Sequence, residues 1–267
     1  MCWSGAMADT EEVPDLPDQF VIREHRHRIH DPFSPEKLSR LGASLELTSG
    51  TSVLDLCSGS GEMLCTWARD HGISGVGVDL SSVFTQNAVA RSVELDVDGV
   101  TTFVHSTAEA WLHDHVSGHG EPFDVAACIG GTWIGGDVFG TIDLLEQVLR
   151  PGGLVLVGEG FWNRVPETEE IAQRCHVAAI DDVSTLPDLV AGFARNGWDL
   201  VQMVLADRDD WDRYVAAQWF SIRRWLDAHP GHELWDEMRA ELDTAALDHI
   251  RYQRDYVGWG VFALMRR

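Results

Sequence analysis

Val53-Leu-Asp-Leu-Cys-Ser-Gly-Ser-Gly61 is the stretch that decides the fold. Its first four residues read as a hydrophobic strand, and the rest as a glycine-rich turn that opens a helix. Glycines there let backbone N–H groups come close to a ligand at a helix N-terminus. Eighteen residues past Gly61 a second strand, Gly75-Val-Gly-Val-Asp79, ends in a carboxylate. An acid at that strand end is placed to accept hydrogen bonds from ribose hydroxyls. Turn and acid together describe a pocket for a nucleoside-containing cofactor.

A dinucleotide would require G-x-G-x-x-G, whose third glycine lets helix and strand pack closely. With Gly59 and Gly61 as the first two, the third position is Leu64, which is too bulky. Asp55, just before the turn, repels a pyrophosphate and attracts an ammonium. S-adenosylmethionine (SAM) carries an ammonium, a ribose, an adenine and a sulfonium. At these residues the chain resembles the class I SAM-dependent methyltransferases, whose first motif reads D-x-G-x-G-x-G and stands here as Asp55-Leu-Cys-Ser-Gly-Ser-Gly61. The resemblance runs from about residue 35 to the C-terminus. It continues through Asp79 and Leu80, through Phe103 to Glu109 beside the adenine, through Phe123 to Gly130 at the fourth strand, and through Leu149-Arg-Pro-Gly-Gly153 before the fifth. It implies cofactor contacts from Asp55, Cys57, Ser58, Gly59, Gly61, Asp79, Leu80, Thr107, Ala108, Glu109, Cys128 and Gly130. In two places the chain departs from the pattern. Cys57 replaces the first glycine and restricts the turn, and Thr107 stands where many relatives carry an acid.

Composition narrows the function classes. A formal charge of −23 argues against nucleic acid, which requires a basic face. Lys37 is the only lysine. No apolar run approaches the roughly 18 residues that span a bilayer. The first residues lack the basic start and apolar stretch of a signal peptide, so the expected location is cytoplasmic. Five cysteines, at 2, 57, 65, 128 and 175, form no C-x-x-C pair and no metal-like cluster, and an odd count fits reduced thiols. No metal is expected. The expected partner is a small-molecule methyl acceptor, with the chain a monomer or homodimer.

Strand and helix patterns alternate, which is the signature of an α/β fold with a mostly parallel sheet covered on both faces. Strands are predicted at 52–57, 74–79, 100–105, 122–129, 153–159 and 199–206, with an antiparallel strand over 256–265. The family resemblance implies the Rossmann-like seven-stranded order 3-2-1-4-5-7-6. Residues 1–16 are expected to be mobile. Helices are predicted from about 19 to 30 and, capped by Ser34 with Pro35 at its first position and Lys37 on its exposed side, to about 47. Residues 17–47 are expected to form a lid segment and 48–267 the cofactor-binding domain. Two further lid insertions are expected, near 161–182 and 208–250.

Reacting groups in open α/β sheets lie at the carboxyl ends of the strands. That rule selects Ile129-Gly-Gly-Thr-Trp133 and Gly158-Glu-Gly-Phe-Trp162. Glu159 is the leading candidate to hold a cationic amine or act as base; helix capping or an arginine pair is the structural alternative. His30, in Ile-His-Asp-Pro-Phe, is a second candidate, against a surface histidine. This element resembles one in actinobacterial members of the family of unassigned substrate. His176 is a third candidate, from the lid. Trp133, Trp162 and Tyr252 are candidate acceptor-binding residues, against simple packing. The expected reaction is in-line transfer of a methyl group from SAM to a small nucleophile. A SAM-binding sensor, or another alkyl transfer on the same scaffold, is the alternative.

Overall fold

The structure, a computed structural model, describes residues 13–267. Most of the stretch expected to be mobile, residues 1–12, lies outside the described residues, as does Cys2. Seven strands form one sheet: β1 (Ser52–Leu56), β2 (Ser74–Asp79), β3 (Thr101–His105), β4 (Phe123–Ile129), β5 (Leu149–Trp162), β6 (Trp198–Leu205) and β7 (Val257–Arg266). Their order is β3-β2-β1-β4-β5-β7-β6, as the family resemblance implies. Strands β1 to β5 pair in parallel, and β7 runs antiparallel between β5 and β6.

Period-2 alternation sends neighbouring residues to opposite faces, and both faces are buried. Leu54 and Leu56 join Ala126, Cys128, Val155, Val157 and Phe262 on one side. Val53 joins Val125, Ala127, Leu156 and Val261 on the other. Leu64, at the position where a dinucleotide fold would place a glycine, is fully buried, and its side chain fills the space left by Gly75 on β2. Registers Asp55↔Gly77 and Asp55↔Ala127 bring the ends of β1, β2 and β4 to one level, where the glycine turn emerges.

Helices α3 (Glu62–His71), α4 (Ser82–Glu94), α5 (Ala108–Ser117), α6 (Val138–Glu146) and α8 (Leu186–Arg195) cover the sheet. Helix α2 (Pro35–Ser44) packs beside α3 on one face through Leu38 and Leu41, and the remaining helices are α1 (Asp18–Glu24), α7 (Glu169–Arg174), α9 (Arg208–Ala228) and α10 (Trp235–Asp248). A π-helical turn at His249–Gln253 and a short α11 (Arg254–Tyr256) lead into β7. Helix α1 stops at Glu24 rather than near His30. Pro32 disfavours helix at the residue before it, and the chain instead turns at His27 N–H to Glu24 O, 2.9 Å. Residues 25–33 therefore cross the glycine turn as irregular backbone. Lys37 does not point to solvent: its Nζ meets Asp207, at 2.8 Å, and Asp210 at the start of α9. Ile22 of α1 shares a core with Ile222, Leu226 and Met238, and Arg23 pairs with Glu241 at 3.0 Å, so α1, α9 and α10 form one cover.

Candidate active site

The glycine turn is built from left-handed backbone. Cys57, Gly59 and Gly61 have φ of +66°, +52° and +72°. Gly61 is required twice over, because a Cβ there would also lie 2.7 Å from Ala88 and from Phe103. Asp79 braces the turn: Oδ2 accepts from Gly59 N–H at 2.7 Å and Oδ1 from Ser81 N–H at 2.8 Å. Burial raises its carboxyl, and those two backbone donors partly offset the rise. Asp55 is buried, and its Oδ1 has no hydrogen-bond partner among the described residues. Burial, then the nearby Asp79 and Asp31, push its carboxyl well above the usual carboxylate range.

Two adjoining cavities open above this turn. One of about 60 Å³ is lined by Asp55, Ser58, Ser60, Arg28, His30 and Asp31, among others. The other, of about 370 Å³, lies between Asp79, Leu80, Phe84, Gly130 and Trp133 on the domain side and Leu16, Phe20 and Arg23 on the cover. His30 and Asp31 line both. His30 Nε2 lies 3.1 Å from Ser60 Oγ, and its ring meets Phe84 edge-on at 4.2 Å. Burial brings the imidazole down to about 4, against the pull of Glu24, so it is neutral at pH 7. The Asp31 carboxyl fits against Gly130 (φ +83°), where a side chain would collide with it. Burial, then Glu24 and Glu159, raise that carboxyl well above its ordinary range. Behind it, buried Glu24 accepts from Gln218 Nε2 at 2.7 Å and lies 2.8 Å from His27 Nδ1. Tyr214 Oη stands 2.9 Å from Glu24 Oε1 and 3.0 Å from the His30 carbonyl. Burial raises the Glu24 carboxyl, but His27, His30 and Gln218 outweigh it and leave it below its ordinary value.

The other residues singled out from the sequence are distributed unevenly. Glu159 accepts from Thr132 Oγ1 and from Gly160 N–H at 3.0 Å; burial raises its carboxyl, and its charge reaches Asp31. Cys128 is fully buried behind Cys57, and Trp133 is 61% exposed at the mouth of the larger cavity. Thr107 caps α5 by accepting from Ala110 N–H at 3.1 Å. Thr107 and Glu109 line an outer groove of α5 rather than either cavity, and Ala108 packs against the core. Trp162 is buried, with Nε1 donating to Ile180 O at 2.9 Å, and packs with Tyr256, Val257 and Tyr252. His176 lines a separate cavity of about 350 Å³ between α1, α9 and α10, with Trp211, Tyr214 and Trp219. Asp31, Glu24, Phe20, Arg23 and Phe84 were not singled out from the sequence. Asp31 had one local signal, its place beside His30 in the element that crosses the turn.

Chemically, the cleft offers one carboxyl, Asp79, for a diol, an unpartnered buried carboxyl, Asp55, for a cation, and an apolar cover from Leu16, Pro17 and Phe20. Comparison with known proteins agrees. Residues 23–240 match the family model described as "Methyltransferase domain". The Escherichia coli K12 protein YjhP is 51% identical over 253 residues, covering 95% of this chain and all of YjhP. The crystal structure of a SAM-dependent methyltransferase from Geobacter sulfurreducens with S-adenosylhomocysteine (SAH) is 53% identical, with a TM-score of 0.91, over 95% of this chain and 99% of that one. Its counterpart from Thiobacillus denitrificans, also with SAH, is 53% identical with a TM-score of 0.90, over 95% of this chain and 100% of that one. These relatives lend no support to the actinobacterial likeness of the His-Asp-Pro-Phe element.

Proposed function

The chain belongs to the class I SAM-dependent methyltransferases, and from that premise we propose that it methylates a small-molecule nucleophile by in-line displacement inside the covered cleft. SAM is its methyl donor and SAH its product. The observation that carries the reading is the pair of cavities over the glycine turn, with Asp79 beside one and the unpartnered Asp55 Oδ1 in the other. That pairing suits a ligand with a diol at one end and an ammonium at the other. In this reading Asp79 takes the ribose hydroxyls, Asp55 the ammonium, and Gly59 and Gly61 let the backbone approach. Leu80 and Phe84 flank the adenosine. Bound SAM supplies an electrophilic methyl on a cationic sulfur.

The protein's own contribution is positioning and exclusion of water. An acceptor must reach the methyl at about 3–3.5 Å with its lone pair aligned. Trp133, Phe20 and Arg23 border the mouth through which it enters. Asp31 lines the cleft and the charges of Glu24 and Glu159 reach it, whereas Arg23 and Arg28 already pair with Glu241 and Glu94. That balance favours a basic acceptor such as an amine, which attacks through its neutral form. A cytoplasmic location fits this chemistry, and among the described residues no helix is long and apolar enough to cross a membrane.

Calorimetric titration with SAM, SAH and NAD tests the reading. The two adenosyl ligands are expected to bind and NAD is not. Asp79→Ala removes hydrogen bonds from a charged acceptor, each worth about 1.5–3 kcal/mol, so SAM affinity falls roughly tenfold or more. Unchanged affinity in a folded Asp79→Ala protein removes the ribose assignment. Acceptors are then screened by the SAH they release.

A further inference from the structure

Once Asp79 takes the ribose and Asp55 the ammonium, the cleft carboxyl left without a partner is Asp31. It lines both cavities and a third, of about 250 Å³, beside Tyr214. Asp31 is half-buried, and among the described residues no hydrogen bond reaches its side-chain oxygens. It lies over the end of β4, against Gly130, with Asp55 near the end of β1 and Glu159 within β5 as flanking acids. A half-buried carboxyl with no protein partner is open to a cationic group that enters the cleft.

The cations that share its cavities are committed elsewhere. Arg28 pairs with Glu94 at 3.1 Å, Arg23 with Glu241 at 3.0 Å and Arg213 with Asp210 at 3.1 Å. Arg26 lies over the Phe220 ring, 4.8 Å from its centroid. His27 holds Glu24, Glu62 holds Arg91 at 2.8 Å, and His30 is neutral. From α9 Asp31 faces Tyr214, and from the end of α1 it faces Glu24, both held in their own hydrogen bonds. No cation pairs with Asp31 among the described residues, and the charges that act on it, Glu24 and Glu159, are negative, so an ionised Asp31 has no paired counter-ion until a cation enters.

We propose that Asp31 meets the sulfur end of the cofactor and follows its charge, giving up a proton as the SAM sulfonium enters and taking one back from the acceptor once the sulfur is a neutral thioether. The proposal rests on the placement of SAM in this cleft. The step balances: the acceptor's lone pair forms the new bond to the methyl carbon, and the electron pair of the broken C–S bond stays on sulfur. The proton shed by the acceptor passes to the Asp31 carboxylate. The raised carboxyl of the ligand-free protein is consistent with this cycle. Loss of the positive sulfur also removes the counter-ion of Asp31, which weakens the hold on the product.

The test needs no acceptor. SAM and SAH are titrated into the full chain near pH 6.5, where the amino groups of both ligands are protonated, in buffers of different ionisation enthalpy. Asp55 meets the same ammonium in either ligand, so its proton cancels in the comparison. SAM is expected to release more protons than SAH, by as much as one. The SAM-to-SAH affinity ratio then rises with pH, approaching tenfold per unit below the Asp31 pKa. Asp31→Asn is expected to flatten that rise and equalise the proton counts. Equal proton release by the two ligands in the wild-type chain overturns the proposal, whether or not the variant folds. So does a difference that survives in a folded Asp31→Asn protein. Failure of both ligands to bind sinks the placement of SAM here, and the proposal with it.

Discussion

His30 shows how one residue's surroundings turn into a measurable property of the whole chain. The ring is wedged between Phe84 and Ser60 over the glycine turn, and burial disfavours its charged form. The folded value is about 4, below the ordinary 6.5. Between those two pH values the unfolded chain binds a proton that the folded chain refuses. The contribution of His30 is therefore fully present above pH 6.5 and is lost as pH falls towards 4, amounting to about 3 kcal/mol at most. Replacing His30 with Gln is expected to flatten the fall in stability over that window, read from urea midpoints at pH 7, 5.5 and 4. An equally steep fall in the variant assigns the slope to other groups. Cys57 is a second case of local constraint. Its φ of +66° belongs to the region where a non-glycine residue costs roughly 1–2 kcal/mol. The strain is tolerated because Cys57 Sγ packs into the hollow that Gly131 leaves open.

Elements were legible where burial alone shapes them. The alternation in β1 and β4 follows from covering both faces of a parallel sheet, so their limits fell within a residue or so of expectation. The extension of β5 to Trp162 was not legible, because it depends on pairing with Val257 from the far end of the chain. The early end of α1 was missed for a similar reason. Residues 25–30 look helical by composition, but Glu24 is held by Tyr214 and Gln218 from outside any local window. The site divided along the same line. The glycine turn and Asp79 carry a local pattern, whereas Asp31 gains its place only when β4 and α9 are assembled around it. Lys37, read as exposed, joins α2 to the first turn of α9 through Asp207 and the buried Asp210. Asp207 is 63% exposed, so that half of the contact is weak. The Asp210 half leaves a buried carboxylate short of a partner when lost. Lys37→Met is expected to cost about 2 kcal/mol, a fall in Tm of roughly 4–8 °C. An unchanged Tm shows that Arg213 alone satisfies Asp210.

At the scale of the whole molecule, the formal charge of −23 on 267 residues acts on any charged ligand that approaches. At neutral pH SAM carries a sulfonium, an ammonium and a carboxylate, hence a net charge of about +1, and SAH, lacking the sulfonium, is near neutral. A strongly acidic protein attracts the first and is indifferent to the second, and salt screens that attraction over a Debye length of about 10 Å at 0.1 M. The association rate of SAM is therefore expected to fall a few-fold between about 0.02 M and 0.5 M salt, while that of SAH stays nearly constant. Stopped-flow tryptophan fluorescence suits the measurement, since Trp133 lies at the cleft mouth. Parallel salt dependence for the two ligands would show that the field of the whole chain does not distinguish donor from product. Discrimination would then rest on groups inside the cleft, with Asp31 first among them. A fall for SAM alone would mean that long-range charge favours entry of the donor while the neutral product leaves without that pull, so the acidity of the chain and the carboxyls of the cleft act in the same direction.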